Sequence, residues 1–98
     1  MVAVRRTEGG PPGDPDEIYA LLHELNAEAM VCMGFEVAYI GPTVAEKPVA
    51  VYDYDACIEI IMDKSDIKED DATAYFYYNT LMHCVGRNSP VFVRCRPW

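Results

Sequence analysis

The apolar residues of this chain change their spacing several times, and these changes divide it into helices and strands. Between residues 18 and 32 they recur every three or four positions, which is the period of an amphipathic helix. Asp14 is placed to cap such a helix, Pro15 suits its first turn, and Gly34 is a plausible stop. The pattern predicts a helix over residues 15–33.

Alternation of apolar and polar residues replaces the helical period in two short stretches. In residues 35–41, Phe35, Val37 and Tyr39 fall on one side of an extended chain. In residues 48–54, Val49 and Val51 alternate with Ala50 and Tyr52. Both stretches are rich in residues that favour strands. They predict two strands, and the short connection between them predicts that they pair as a hairpin.

The helical period then returns twice. Asp53 is placed to cap a helix over residues 54–64, which carries an apolar stripe. Asp66 and Glu69 have the spacing of a capping box. This spacing predicts that a further helix begins at Asp66, and the pattern after it continues to about Val85.

After a turn at residues 87–89, residues 90–95 predict a third strand. The order helix, strand, strand, helix, helix, strand predicts an α+β fold with a small, three-stranded, mainly antiparallel sheet packed by three helices. Residues 1–13, rich in glycine and proline, are predicted to be a flexible N-terminal tail, and residues 14–98 a single globular domain. We find no secretory signal or membrane-spanning run, so we expect a cytoplasmic protein.

The run from residue 74 to residue 79 places four aromatic residues in succession before Asn79. Consecutive residues of a helix point in different directions, so they do not form one stacking platform. Tyr75, Phe76 and Asn79 share a face, which we expect to pack on the sheet with Asn79 as a buried polar residue. Tyr77 and Tyr78 then point sideways or outward, either as a half-buried rim or as a partner contact.

The four cysteines, Cys32, Cys57, Cys84 and Cys95, are scattered along the chain. They indicate either two disulfides in a secreted protein or buried thiols in a reducing compartment, and without a secretory signal we favour buried thiols. A zinc site usually contains a close ligand pair, and only His83 with Cys84 offers one. Neighbours on a helix face about 100° apart, so this pair does not form a nucleophile–base dyad. We expect neither an enzyme nor a cofactor.

The acidic residues outnumber the basic ones and are unevenly placed. The whole chain has a net charge of −8, whereas residues 7–86 hold all 16 acids and only three lysines, a net −13. Such a body repels phosphates, which argues against direct binding to nucleic acid. It suits a surface that occupies a basic, nucleic-acid-binding groove on another protein. The alternative is that the acids only keep a small protein soluble.

The predicted interaction surface consists of acids on helices and two tyrosines beside them. Its members are Glu24, Glu28, Asp55, Glu59, Asp63, Glu69, Asp70, Asp71, Tyr77 and Tyr78.

Four segments together resemble a known group of sequences: VAVYDYDACIEIIM, DDATAYFYYN, VGRNSPVFV and MGFEVAYIG. The resemblance covers residues 29–93 and is to small, acidic, single-domain proteins of bacteriophages and prophage regions. Their pattern has a strand entering an Asp-started helix, an aromatic–x–aromatic–Asn element, and a Val-Gly-x-x-Ser/Thr-Pro-Val-Phe strand. This chain departs from it at Met82 and His83, where the family has smaller residues.

The resemblance implies a phage setting and a non-enzymatic, accessory role, and it transfers no catalytic residue. By analogy of size, charge and setting, it suggests an anti-CRISPR or anti-restriction protein that binds a host defence complex in the host cytoplasm. The rival classes are a phage accessory or assembly protein, whose partner is a phage protein, and a small enzyme.

Overall fold

A computed structural model describes residues 15–95. The predicted flexible tail, residues 1–13, and the candidate cap Asp14 lie outside them. The elements are α1 (Pro15–Ile18 and Ala20–Leu25, interrupted at Tyr19), β1 (Tyr39–Pro42), β2 (Ala50–Asp53), α2 (Tyr54–Ser65), α3 (Glu69–Asn79) and β3 (Val91–Val93), with 3₁₀ turns at Glu36–Ala38 and Leu81–His83. The predicted α+β class and element order are confirmed. None of the helices within this part of the chain is long and apolar enough to cross a membrane.

Within the described part of the chain, three strands form a mixed sheet in the order β1-β2-β3. β1 and β2 are antiparallel, with Tyr39 opposite Tyr52, so the predicted hairpin is confirmed. β2 and β3 are parallel, with Tyr52 opposite Phe92. The sheet therefore contains one pair of each kind rather than being mainly antiparallel.

The path of the chain after α3 explains the parallel pair. α2 and α3 are joined by three residues and pack together. The ring centroids of Tyr54, at the start of α2, and Phe76, near the end of α3, are 5.6 Å apart. This helical hairpin returns the chain to the end of β2. The segment from residue 81 to residue 90 then carries it back to the start of β2, where β3 begins alongside. A parallel pair needs such a long crossover.

The first helix ends at Leu25, not at residue 33 as the periodicity predicts. Asn26 adopts an extended conformation, with φ −152° and ψ 95°. Its buried side-chain Nδ2 donates to the Pro48 carbonyl at 2.9 Å and to Asn88 Oδ1 at 3.0 Å. These two tertiary hydrogen bonds outweigh helix propensity, which amounts to only a few tenths of a kcal/mol per residue.

Residues that continue the apolar period beyond Asn26, such as Ala29 and Cys32, lie in a non-helical segment instead. Gly34 has φ +97° in a turn, a conformation that glycine adopts without strain. The first strand begins at Tyr39 rather than at Phe35, because Glu36–Ala38 forms a 3₁₀ turn. Val37, predicted to lie on the same side of the chain as Tyr39, is 55% exposed, whereas Tyr39 is buried.

The predicted cap of α2 is confirmed, whereas that of α3 is wrong. Asp53 Oδ1 accepts hydrogen bonds from the backbone N–H groups of Asp55 and Ala56, at 3.0 and 3.4 Å. Asp66 does not start α3 but ends α2 in the left-handed conformation, with φ +53°. Lys68 occupies the N-cap position of α3 without a side-chain hydrogen bond.

The core lies between the sheet and the helices and is built largely from aromatic rings. Tyr52 is fully buried at its centre, where its ring stacks on Phe92 at 5.5 Å and meets Tyr39 edge-on at 5.6 Å. Its hydroxyl lies 2.7 Å from that of Tyr19 and accepts a hydrogen bond from the Cys32 N–H at 2.8 Å. These contacts fix the loop after α1 to the sheet.

Candidate functional site

A groove of about 250 Å³ lies beside α2 and the start of α3 and is lined by three carboxylates. Asp55 and Glu59 come from α2 and Glu69 from α3, while Ile58 and Met62 supply the apolar part of the lining. We call these five residues the acidic groove. It combines negative charge with an apolar surface, a combination suited to a basic side chain that has an aliphatic stem.

The local sequence explains how the carboxylates of the acidic groove come together. Asp55 and Glu59 are four residues apart, so they lie one above the other on α2. Ile58 is buried and α2 packs on α3, which places Glu69 in the first turn of α3 beside the same surface. An acid in a first helical turn is favoured by the helix dipole. Part of this charge therefore also stabilises the helices.

Of the other predicted acids, three lie on the same helices as the acidic groove and two lie elsewhere. Asp63 follows Glu59 by one turn of α2, and Asp70 and Asp71 follow Glu69; all three are exposed. Glu24 on α1 and Glu28 in the following turn are exposed too, but they do not line the acidic groove. The structure thus brings Asp55, Glu59 and Glu69 into one concave site and leaves Glu24 and Glu28 apart from it.

The tyrosine run of α3 divides between the core and the surface, although not in the predicted phase. Phe76 is fully buried, whereas Tyr75, predicted to face inward, is 52% exposed. Asn79 is exposed as well, and its Nδ2 donates to the Tyr75 carbonyl at 2.9 Å. Tyr77 and Tyr78 are 49% and 64% exposed, as predicted, and their rings meet edge to face at 5.3 Å.

A second groove, of about 280 Å³, lies on another side of α2. Its apolar lining is contributed by Met33, Phe35, Ile60, Ile61 and Tyr75, and we call it the apolar groove. Lys64, Ser65, Asn79 and Thr80 also line it. Sequence reasoning missed it because Met33 and Phe35 reach α2 only once the first helix has ended early.

The cysteine thiols are free, and none of them is activated as a nucleophile. Burial raises the pKa of Cys32 and of Cys57 to about 12, and it also raises the pKa of Cys84 and Cys95. A catalytic cysteine needs a lowered pKa. The thiols are less buried than predicted, since Cys57 alone is fully enclosed and the other three keep part of their surface exposed.

Metal-ligating side chains do not cluster in the part of the chain that the structure describes. Within residues 15–95 no group of three or more histidine, cysteine, aspartate or glutamate side chains is arranged to hold a metal ion. His83 is exposed, and Cys84 beside it is half-buried.

The residue that sequence reasoning missed most clearly is Asn26. It is 7% exposed and joins the end of α1 to the Pro48 and Asn88 segments. Its Oδ1 also accepts a hydrogen bond from the Glu28 N–H at 3.2 Å. The available signal was an asparagine within an otherwise helical period, since asparagine favours helix ends and turns over helix interiors.

Comparison with known proteins assigns neither a family nor a function to this chain. No family model matches the chain, and neither a curated protein nor a solved structure matches it either. The class that the fold defines is a small α+β domain with a mixed three-stranded sheet, and its function has to be inferred from its surfaces.

Proposed function

We propose that this protein is a non-enzymatic inhibitor that acts by protein–protein interaction, with the acidic groove as its contact to a basic partner. The observation that carries the proposal is the convergence of Asp55, Glu59 and Glu69 on one concave surface. An arginine or lysine of the partner inserts there, with its charge against the carboxylates and its stem against Ile58 and Met62.

The charge around the acidic groove supports this choice. Residues 53–71, which contain α2 and the start of α3, hold eight acids and two lysines, a net −6. A surface of this charge attracts a basic partner over a distance and speeds the encounter. Salt screens the attraction, so the association rate depends on ionic strength.

The partner we propose is the nucleic-acid-binding surface of a host defence complex, in the cytoplasm of a phage-infected cell. Such surfaces carry rows of lysine and arginine that neutralise phosphates. A negatively charged protein bound there blocks the nucleic acid from binding. The phage setting rests on the resemblance of residues 29–93 to phage proteins, and the mode of inhibition rests on the charge of the acidic groove.

A second candidate function is a phage accessory or assembly protein without catalytic activity. The apolar groove favours it, because Met33 and Tyr75 line that groove and are 64% and 52% exposed. Exposed tyrosine and methionine are enriched at the centre of protein interfaces. Binding through this surface would depend little on salt, which separates the two candidates.

The test compares two double charge reversals that change the net charge equally. Glu59→Lys with Glu69→Lys alters the acidic groove, whereas Glu24→Lys with Glu28→Lys alters exposed acids outside it. Each purified variant is used to capture partners from a bacterial lysate. The association rate with the captured protein is then measured, as is the ability of the variant to displace nucleic acid from that protein in a gel-shift assay.

We expect the groove variant to associate roughly tenfold or more slowly than the wild type and to lose nucleic-acid displacement. The matched variant should retain most of both. If the two variants have equal effects, the negative charge acts non-specifically and the acidic groove is not the contact to the partner. Binding that is unchanged between roughly 50 and 500 mM salt, over which the Debye length falls about threefold, would refute the acidic mechanism and favour the assembly candidate.

A further inference from the structure

The polar lining of the apolar groove contains one cation and, among the described residues, no acid. Lys64 lines the groove together with Ser65, Asn79 and Thr80. In the whole chain, by contrast, the 16 acids outnumber the 8 lysines and arginines. An ammonium group and hydroxyls can donate hydrogen bonds, but they cannot balance a positive charge on a ligand. The charge of this groove therefore favours an anionic ligand, which the acidic groove would repel.

The apolar lining has a buried floor and an exposed rim. Ile61 is buried and Phe35 is half-buried, with the Phe35 ring centroid 5.9 Å from that of the core residue Phe76. These two rings meet edge to face, which is a favoured arrangement of aromatic pairs. Met33 and Tyr75 form the rim and keep more than half of their surface exposed. A ligand with an apolar body would cover both side chains and remove apolar surface from water.

The wall formed by residues 33–35 is held in place by its own hydrogen bonds. The Gly34 N–H donates to the two carboxylate oxygens of Glu36 at 3.2 and 3.1 Å, and the Phe35 N–H donates to the Cys32 carbonyl at 3.2 Å. Glu36 does not line the groove. A β-carbon at Gly34 would meet no atom within 4 Å, so the space beside this residue is open. The groove is therefore preformed, and binding needs little reorganisation of the protein.

The size of the groove limits its ligand to a small molecule. Its volume of about 280 Å³ lies just below the range of roughly 300–1,000 Å³ that is typical of ligand sites. Such a volume suits one aromatic ring with a short chain, roughly ten to fifteen non-hydrogen atoms. An inorganic anion would gain only a charge interaction, which the net charge of −8 opposes. An aromatic carboxylate gains burial of its ring as well, so it matches both parts of the lining.

We propose that the apolar groove binds a small aromatic carboxylate, with the carboxylate against Lys64 and the ring against Phe35 and Tyr75. Burial of the ring supplies most of the affinity, because an exposed ion pair contributes little on its own. Lys64 supplies the preference for an anion over a neutral or cationic analogue. The proposal goes beyond both candidate functions, since neither includes a small-molecule ligand and the acidic groove takes no part in it.

The experiment titrates the purified, nitrogen-15-labelled full chain at pH 7 and follows the backbone amide signals by two-dimensional NMR. Three probes share one ring and chain and differ in charge: phenylbutyrate, phenylbutanol and phenylbutylamine. We expect phenylbutyrate to bind with a Kd of roughly 0.1–2 mM, as for other ligands of about twelve non-hydrogen atoms. The largest saturable shifts should fall in residues 33–35, 60–65 and 75–80. Phenylbutanol should bind about threefold more weakly or worse, phenylbutylamine more weakly still, and acetate should give no saturable shift.

Two lysine variants test the assigned role of Lys64. Lys64→Met keeps the aliphatic stem and removes the charge, whereas Lys68→Met removes an exposed charge that does not line the groove. Lys64→Met should weaken phenylbutyrate binding roughly three- to tenfold and leave phenylbutanol binding unchanged. Lys68→Met should alter neither. Equal weakening by both variants would overturn the proposal, because net charge alone would then explain the preference.

The titrations of the wild-type chain decide the proposal even if a variant fails to fold. The absence of a saturable shift with phenylbutyrate up to about 10 mM, several times the expected Kd, would overturn it. Equal affinity for the acid, the alcohol and the amine would overturn it as well, because Lys64 would then play no part in recognition. Saturable shifts confined to residues outside the apolar groove would overturn the assigned site.

Discussion

Replacement of Asn26 by alanine tests whether tertiary hydrogen bonds end the first helix. The substitution removes the two Nδ2 hydrogen bonds to Pro48 O and Asn88 Oδ1 and the acceptor for the Glu28 N–H. A net hydrogen bond contributes about 1 kcal/mol, and a buried polar group left without its partner costs a further 1–3 kcal/mol. Pro48 is buried. We therefore expect Asn26→Ala to lower the free energy of unfolding by about 3 kcal/mol.

The assay is urea denaturation followed by circular dichroism, with Asn79→Ala as the matched control. Asn79 is exposed, and among residues 15–95 its Nδ2 bonds only the Tyr75 carbonyl of its own helix, so its loss should change stability by less than about 0.5 kcal/mol. For a domain of this size, about 3 kcal/mol corresponds to a melting temperature roughly 12–20 °C lower. If the two variants have equal stability, the buried hydrogen bonds of Asn26 do not anchor the loop, and the account of where α1 ends is wrong.

Three further predictions concern the core, the caps and the thiols. Phe76→Ala should lower the free energy of unfolding by about 3–5 kcal/mol, because Phe76 is fully buried. Tyr78→Ala should lower it by about 1 kcal/mol or less, because Tyr78 is 64% exposed. Equal losses would contradict the assigned phase of α3. Asp53→Ala should lower the free energy of unfolding by about 1 kcal/mol, because the cap of α2 is lost. Asp66→Gly should raise it by up to about 1 kcal/mol, because Asp66 has a positive φ, which glycine adopts more readily. A destabilised Asp66→Gly variant would show that the side chain of Asp66 matters more than its backbone conformation. Since burial raises the pKa of Cys57 from 9.0 to about 12, the unfolded thiol releases its proton first, and the free energy of unfolding should fall as the pH rises through this interval. The Cys57→Ala variant should give a flatter pH profile, and identical profiles would contradict the assignment.

Features that neighbouring residues determine were predictable from the sequence. Residues 35–41 and 48–54 contain the hairpin, and Asp53 lies next to the N–H groups that it caps, so these predictions needed no distant partner. The end of α1 did need one. The partners of Asn26 lie 22 and 62 positions away, and nothing in the local period reveals them. Asp66 shows a related limit, since its spacing to Glu69 fits a helix start while its backbone ends the preceding helix.

Only the part of the candidate site that local spacing determines was predictable from the sequence. Asp55 and Glu59 share a face by their four-residue spacing, which the sequence displays directly. Glu69 joins them only because α2 and α3 pack together, and Glu24 and Glu28 remain outside the groove although their chemistry is identical. The sequence does not reveal that Tyr75 lies outside the buried face of α3, because four successive aromatic residues leave several choices for that face.

The parallel pairing of β2 and β3 separates the molecule into parts that form at different stages of folding. The connection between β1 and β2 spans seven residues, whereas that between β2 and β3 spans 37. Closing the longer loop costs roughly 1.5 kcal/mol more in chain entropy. We therefore expect the third strand to dock last during folding and to detach first during partial unfolding. The acidic groove is contributed entirely by α2 and α3, a hairpin of nearby residues. It should consequently assemble before the sheet is complete and should outlast the loss of β3.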